Sequence, residues 1–423
     1  MIGIKGGFQG GIKTKGTFAS EALAIAGGLI DGDYYWSTCG DNLVLSQVQN
    51  KGITLFWKVT PKTNNFLLAI NSRGITDIGD VTQWNNSLGG DHSFTNIKFN
   101  INSFVGYDLY SISLWGNEDL IYYLSFNDLF LHDIKIYSQL NNLVNLNLSN
   151  NQIVSFNECL ALPNSLITIV LNNNQISNFN PSIALSDTLE TLSLFGNKLT
   201  DFNPSIALPN SLKHLILLFN QITDFNPSIA LPNSLEDLSL GQNLIIDFNP
   251  TIALPNSLTY LDISSNQIVN FNPTIELPNL LQFLGLRYNQ IVEFNPSIAL
   301  PNSLMVLDLN TNKLTDFNPT IELPIGLLTL DISDNQITAK SASVLSAFAQ
   351  GLQFFYCNNN LLTSIAVSGY LHDLLALNLT DNWVYLNGTG NAIISNQSVI
   401  DEYYTPLIAT GNHIFINADF VNH

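Results

Sequence analysis

Charge is scarce in this chain. Only 11% of its 423 residues are Asp, Glu, Lys or Arg, against about 25% in ordinary soluble domains. Basic charge is scarcer still: 14 Lys and Arg stand against 33 Asp and Glu, a net of −19. The imbalance is uneven, with nine basic and twelve acidic residues over 1–139 and five against twenty-one over 140–423. A nucleic-acid partner needs a basic stripe, and none is present. An anionic membrane surface is disfavoured for the same reason. Cysteine is almost missing. Cys39, Cys159 and Cys357 are too few and too scattered for a disulfide framework or a zinc site. No apolar run approaches the ~18–20 residues of a membrane span. A secretion leader is not legible either. Lys5, Lys13 and Lys15 precede the apolar Ala22 to Ala26, but Glu21 interrupts that segment and Gly6, Gly7, Gly10 and Gly11 loosen its start. There is no nucleophile elbow, HExxH, phosphate loop or paired-cysteine motif, and the six histidines, His92, His132, His214, His372, His413 and His423, are dispersed. These gaps predict a protein that is not an enzyme and needs no cofactor.

What replaces the charge is Asn, Ser and Thr. Such a surface is cheap to desolvate, which fits burial in an assembly. An AT-rich coding bias toward Asn, Ile, Lys and Phe accounts for the same composition.

From Leu162 to Gln336 one sentence recurs: LPNSLxxLxLxxNxIxxFNPSIA. Its central Asn stands at Asn174, Asn197, Asn220, Asn243, Asn266, Asn289, Asn312 and Asn335, a constant step of 23 residues. A fixed period of this size marks a solenoid. In Leu166, Ile169 and Leu171 the apolar residues alternate as on one face of a short strand, so each coil supplies a strand to a parallel sheet. The Asn sits where the chain leaves the sheet, and its amide can satisfy backbone groups that the turn buries. Five residues later comes Phe, from Phe156 to Phe317, an aromatic spine inside the coils. Pro181 and its equivalents up to Pro319 keep the return side extended.

These residues resemble the leucine-rich repeat family, with the L-P-x-x-L opening of bacterial-type repeats. The resemblance implies a curved right-handed solenoid with a parallel sheet on its concave side and mostly non-helical returns on the convex side. It also implies a partner bound on the concave face, without naming one.

The chain divides into a Gly-rich arm (1–33), a small β domain (34–108), leucine-rich repeats (109–382, regular over 143–338) and a C-terminal cap (383–423). Strands are expected at Ile53–Val59, Phe66–Ile70 and Phe94–Ile101, with Trp36, Trp57 and Trp84 as core. Leu109, Ile112, Leu114 and Asn117 read as a degenerate first coil followed by an insertion from Glu118 to Leu140. Residues 339–350 read as a helix with Val344, Leu345 and Phe348 on one face. Two more coils follow, one through Leu352, Phe355, Cys357 and Asn360, the other through Leu374, Leu377, Leu379 and Asn382.

Residues between the buried leucines point out of the sheet. They give a concave patch of Phe195, His214, Ile216, Leu218 and Phe219, with Tyr260, Asp262, Phe283, Arg287 and Tyr288 across the sheet. Clustered exposed aromatics mark recognition surfaces. A sugar would use the rings as platforms flanked by Asp262 and Asn310, and a protein would also bury Ile216 and Leu218. Asp308 and Asp331 fall on neighbouring strands ~4.8 Å apart, with Asp334 nearby. That trio reads as a solvated acidic face, or as a weak candidate for Ca²⁺.

The expected role is a virion component, as in a bacteriophage, docked through its N-terminal arm to other copies or to virion proteins. Its repeats would read a host-surface protein or glycan. The alternative is a bacterial cell-surface adhesin or secreted effector that binds a protein partner.

Overall fold

The computed structural model describes the backbone of residues 14–18, 34–39, 42–47, 53–60, 66–72, 97–100, 108–115, 121–125 and 133–136. With side chains it describes residues 142–156, 162–180, 184–377 and 380–417, apart from the Ala349 side chain. The Gly-rich residues 1–13, Trp84, Cys159 and Leu379 lie outside the described residues. Two compact units result. The first comprises Met1–Leu199 with Asn203–His214, the second Thr200–Phe202 with Leu215–His423.

The first unit begins with β1 (Thr14–Phe18), β2 (Tyr34–Cys39) and β3 (Asn42–Gln47), joined in one small sheet. A second sheet has the order β5 (Phe66–Ser72), β4 (Ile53–Thr60), β7 (Asp108–Trp115), β9 (Asp133–Ile136). A parallel run then joins β6 (Ile97–Asn100), β8 (Ile121–Ser125), β10 (Asn145–Asn147), β11 (Thr168–Val170) and β12 (Thr191–Ser193). Leu109, Ile112 and Leu114 therefore do not open the repeats. They lie on β7, which pairs antiparallel with β4, while the stretch expected to be an insertion supplies β8.

The boundary between the units falls within β13 (His214–Ile216). The second unit continues with β14 (Asp237–Ser239), β15 (Tyr260–Asp262), β16 (Phe283–Gly285), β17 (Val306–Asp308), β18 (Thr329–Asp331), β19 (Phe354–Tyr356), β20 (Trp383–Tyr385) and β21 (His413–Phe415). Each pairs in parallel with the next. The strands are three residues long, and the central residue enters the core: Leu238, Leu261, Leu284, Leu307, Leu330, Phe355 and Val384 are wholly buried.

Three polar ladders stack the coils. The amide of Asn266 donates to the carbonyls of Leu240 (3.1 Å) and Ile263 (3.0 Å), and its Oδ1 accepts from the Ile245 N–H (3.0 Å). On the return side, Asn249 Oδ1 accepts from both the N–H (2.9 Å) and the hydroxyl (2.8 Å) of Thr274 one coil on. In the LPNS turn, Ser257 Oγ donates to the Leu235 carbonyl (2.7 Å). Asn, Ser and Thr are thus abundant because the return loops, having neither helix nor sheet, must satisfy their backbone with short amides and hydroxyls. Inside, Phe248, Phe271, Phe294 and Phe317 stack at 6.0–6.4 Å between ring centroids.

The regular frame ends at two helices, α1 (Ala342–Ala349) and α2 (Ser364–Ala376). Ser341 caps α1 by accepting from the Val344 N–H, and its own N–H donates to the buried Tyr370 hydroxyl (2.8 Å). The expected coil at Leu374, Leu377 and Asn382 is not a coil. Val367, Tyr370, Leu371 and Leu374 form the buried face of α2. The strand comes at β20, and the next ladder amide is Asn391, which donates to the carbonyls of Cys357 and Leu386 (3.0 Å each). The sheet runs on to β21, so residues beyond Asn382 carry two more of its strands.

Candidate functional site

Each three-residue strand turns its first and third residues away from the core. In the second unit the first residues form a column of Tyr260, Phe283, Val306, Thr329, Phe354, Trp383 and His413. The third residues form a column of Asp262, Gly285, Asp308, Asp331, Tyr356, Tyr385 and Phe415. Aromatic rings thus stand on β15 and β16 and again on β19 to β21, and carboxylates lie between them.

The C-terminal group is the larger. Tyr385 lies between Tyr356, at 4.7 Å between ring centroids, and Phe415, at 4.5 Å. Trp383 lies between Phe354, at 6.5 Å, and His413, at 3.8 Å. All four pairs are within 20° of parallel. Strand spacing accounts for the geometry: rings one strand apart stand side by side at roughly 4.8 Å, close to stacking distance. At the other end Tyr260 and Phe283 stack at 4.4 Å.

Between the stacks, each Asp is locked by its own chain two residues on. Asp262 accepts from the Ser264 N–H (2.9 Å), Asp308 from the Asn310 N–H (3.1 Å) and Asp331 from both the N–H (2.9 Å) and the hydroxyl of Ser333. Burial pushes the Asp308 carboxyl up to about 6, with Asp331 and Asp262 adding to the rise; the Asn310 N–H and Arg287 oppose it. Arg287 Nε is 3.9 Å from Asp308 Oδ2, and its side chain is 55% exposed, so its pull is weak. Asp331 is raised for the same leading reason, opposed by Ser333. Burial also lifts the Tyr260 hydroxyl to about 12, helped by Asp262 and Asp237.

A carboxyl raised above its unfolded value costs stability once it ionises. The native state then binds more protons than the unfolded state between pH ~3.9 and the folded value. Stability therefore falls as pH rises through that window and stays lower above about 6. Asp308→Asn should be more stable than the parent at pH 7.5 by about 2 kcal/mol, the two being equal below pH ~3.5. Urea denaturation at both pH values checks this, and an equal gap at both would assign the gain to packing instead.

Asp308 and Asp331 are register partners, and Asp334 stands apart from them. Asp334 is turned to the rim, where it accepts from Asn310 Nδ2 (3.2 Å) and Asn359 Nδ2 (3.0 Å). Among the described residues, no group of three or more His, Cys, Asp or Glu is placed to hold a metal ion.

The other expected site residues divide. Phe195 and His214 belong to the first unit, and Ile216, Leu218 and Phe219 to the second. The structure joins Tyr260 to Phe283 and Arg287 to Asp308. Phe219 and Tyr288 are exposed and occupy the turn position whose backbone is left-handed, at φ 55° and 54°. Other coils place Asn150, Asn173, Gly196 and Asp334 there. Gln242, Ser265 and Thr311 share the same backbone, so the left-handed turn belongs to the repeat. Sequence reasoning missed Trp383, Tyr385, His413 and Phe415 as site residues. The signal was present in the aromatic–apolar–aromatic triplets Trp383-Val384-Tyr385 and His413-Ile414-Phe415.

The family model described as Leucine Rich Repeat matches residues 257–284. Among solved structures, the chain is similar to a leucine-rich repeat protein of Leptospira interrogans, at 22% identity over 74% of this chain and 90% of that one, with a TM-score of 0.36. It is similar to an internalin of Listeria monocytogenes at 18% identity over 67% of this chain and 82% of that one, with a TM-score of 0.37. YopM of Yersinia enterocolitica matches at 25% identity over 60% of each chain, with a TM-score of 0.30. No curated protein matches the chain. The described repeats form a leucine-rich repeat solenoid, with the parallel sheet on one side and mostly non-helical returns on the other. Such a fold is suited to binding protein. No helix among the described residues is long and apolar enough to cross a membrane.

Proposed function

We propose that this chain is a non-enzymatic binding protein that holds a polypeptide on the sheet face of its second unit. The observation that carries this reading is the six-ring group on β19, β20 and β21, half-buried to exposed and continuous across three strands. Binding energy concentrates in such aromatic groups. The stacking favours a polypeptide over a glycan. A sugar ring lies flat on an aromatic face, but both faces of Tyr385 are taken by neighbouring rings, and one face of Trp383 by His413. What the stack offers is ring edges and hydroxyls, which suit side chains and peptide groups. We favour an extracellular or cell-surface setting over a virion. The virion reading drew on a leader not legible in the sequence, on low charge and on a Gly-rich arm, most of which lies outside the described residues, whereas the sheet face requires only a partner.

Surface-protein extracts from candidate host cells, titrated over the immobilised full chain, test the reading. Trp383→Ala with Tyr385→Ala should weaken saturable capture by at least about 30-fold, or about 2 kcal/mol. The return-side control Ile246→Ser with Ile325→Ser, both residues well exposed, should leave it unchanged. The reverse pattern would move the binding surface off the sheet.

A further inference from the structure

We infer that the bound polypeptide presents a basic side chain to the carboxylate pair Asp308 and Asp331, with apolar side chains against the aromatic stacks on either side. This rests on the sheet-face reading above and specifies its partner. The arrangement has three parts. First, Asp308 and Asp331 are register partners on adjacent strands, each half-buried and fixed by its own turn. Second, among the described residues the cation beside them is the largely exposed Arg287, at 3.9 Å from Asp308. Third, the carboxylates lie between aromatic groups on the same face, Tyr260 and Phe283 on one side and Tyr356, Tyr385 and Phe415 on the other.

Gly285 adds space to this middle ground. A Cβ there would come within 2.9 Å of both Asp262 Oδ1 and the Phe283 ring, so the absence of a side chain lets the Asp262 carboxylate lean over the strand toward the pair. The wider charge balance agrees, with five basic against twenty-one acidic residues over 140–423. A second copy of this chain would bring like charge and is a poor occupant. An ammonium or guanidinium from a partner would offset desolvated negative charge, and charge-assisted hydrogen bonds to carboxylates are among the stronger ones. An extended partner segment with basic residues flanked by apolar ones matches a face on which the carboxylate pair lies between two groups of rings.

The groups that face Asp308 are Asp262 on β15, Arg287 after β16, Asp331 on β18 and, more distantly, Tyr260. A bound cation favours the ionised form of Asp308, so its affinity should weaken as pH falls through about 6.

The test uses the full chain and labelled probes followed by fluorescence anisotropy. These are short peptides alternating Arg with Leu, their Glu–Leu counterparts, and a cello-oligosaccharide. The Arg–Leu peptide should bind at pH 7.5 and bind more weakly at pH 5. Asp308→Asn with Asp331→Asn should weaken it at least about tenfold. Glu276→Gln with Glu322→Gln, which removes the same charge from exposed return-side positions, should change it less than about twofold, as screened distant charges do. No binding of the Arg–Leu peptide, equal binding of the Glu–Leu peptide or the oligosaccharide, or equal losses in the two double variants would each overturn the inference. If Trp383→Ala with Tyr385→Ala weakens the Arg–Leu peptide and the Asp variant does not, the sheet face stands and the basic anchor falls. If neither changes binding, the sheet-face reading itself fails.

Discussion

Asn243→Ala should lower the stability of the repeats by about 4 kcal/mol. The side chain is 5% exposed and touches backbone only. Its Oδ1 accepts from the Ile222 N–H (3.0 Å), and its Nδ2 is shared among the carbonyls of Leu217 (3.0 Å), Leu240 (2.9 Å) and Gly241 (3.2 Å). Alanine removes all of these at once and leaves buried backbone groups on two coils, each costing about 1–3 kcal/mol when unpaired. Because solenoid coils couple mainly to their neighbours, the transition should also broaden. Denaturant titration monitored by circular dichroism checks both effects. A loss below about 0.5 kcal/mol, the range of surface substitutions, would show that water replaces the amide without difficulty.

Phe271→Ala should cost nearly as much, about 3–5 kcal/mol. Phe271 is completely buried and stacks on Phe248 at 6.4 Å and Phe294 at 6.2 Å. The cavity would open in the middle of a row, where the rings on both sides are held by their own coils and cannot close in. Phe271→Leu should lose only about 1–2 kcal/mol, since most of the volume remains. The contrast between the two variants identifies the cavity as the cause. Similar losses for Leu and Ala would point instead to ring-on-ring stacking as the larger contribution.

The repeat frame was legible because its buried positions recur with fixed spacing, and a strand, an amide and a ring at the same offsets admit one stacking. That is why Asp308 and Asp331 could be paired from the sequence alone and then appear in register. The end of the frame was harder. Leu374 and Leu377 fit both the strand pattern and a helical turn, and α2 won because Val367, Tyr370 and Leu371 complete a helical face that a coil would have left exposed. The slip hid β20 and, with it, the continuity of the larger aromatic group. Stacking of rings with their faces already paired depends on side-chain direction across strands, which a linear pattern does not contain. The desolvation of Asp308 was equally hidden, since its burial comes from neighbouring coils.

Nearest-neighbour ladders make the 23-residue coil a unit of inheritance. Beyond its own coil Asn266 reaches the coil before it, and Thr274 reaches Asn249 one coil back. Loss or duplication of one whole coil rejoins equivalent partners, whereas a single-residue insertion misaligns every ladder at that point. A lineage can therefore change the number of strands between Tyr260 and Trp383 in one recombination event without redesigning the core. Each such event would alter the distance between the two aromatic groups by one strand spacing, roughly 4.8 Å. That lets the length of the recognised segment change in discrete steps while the chemistry at each end stays the same.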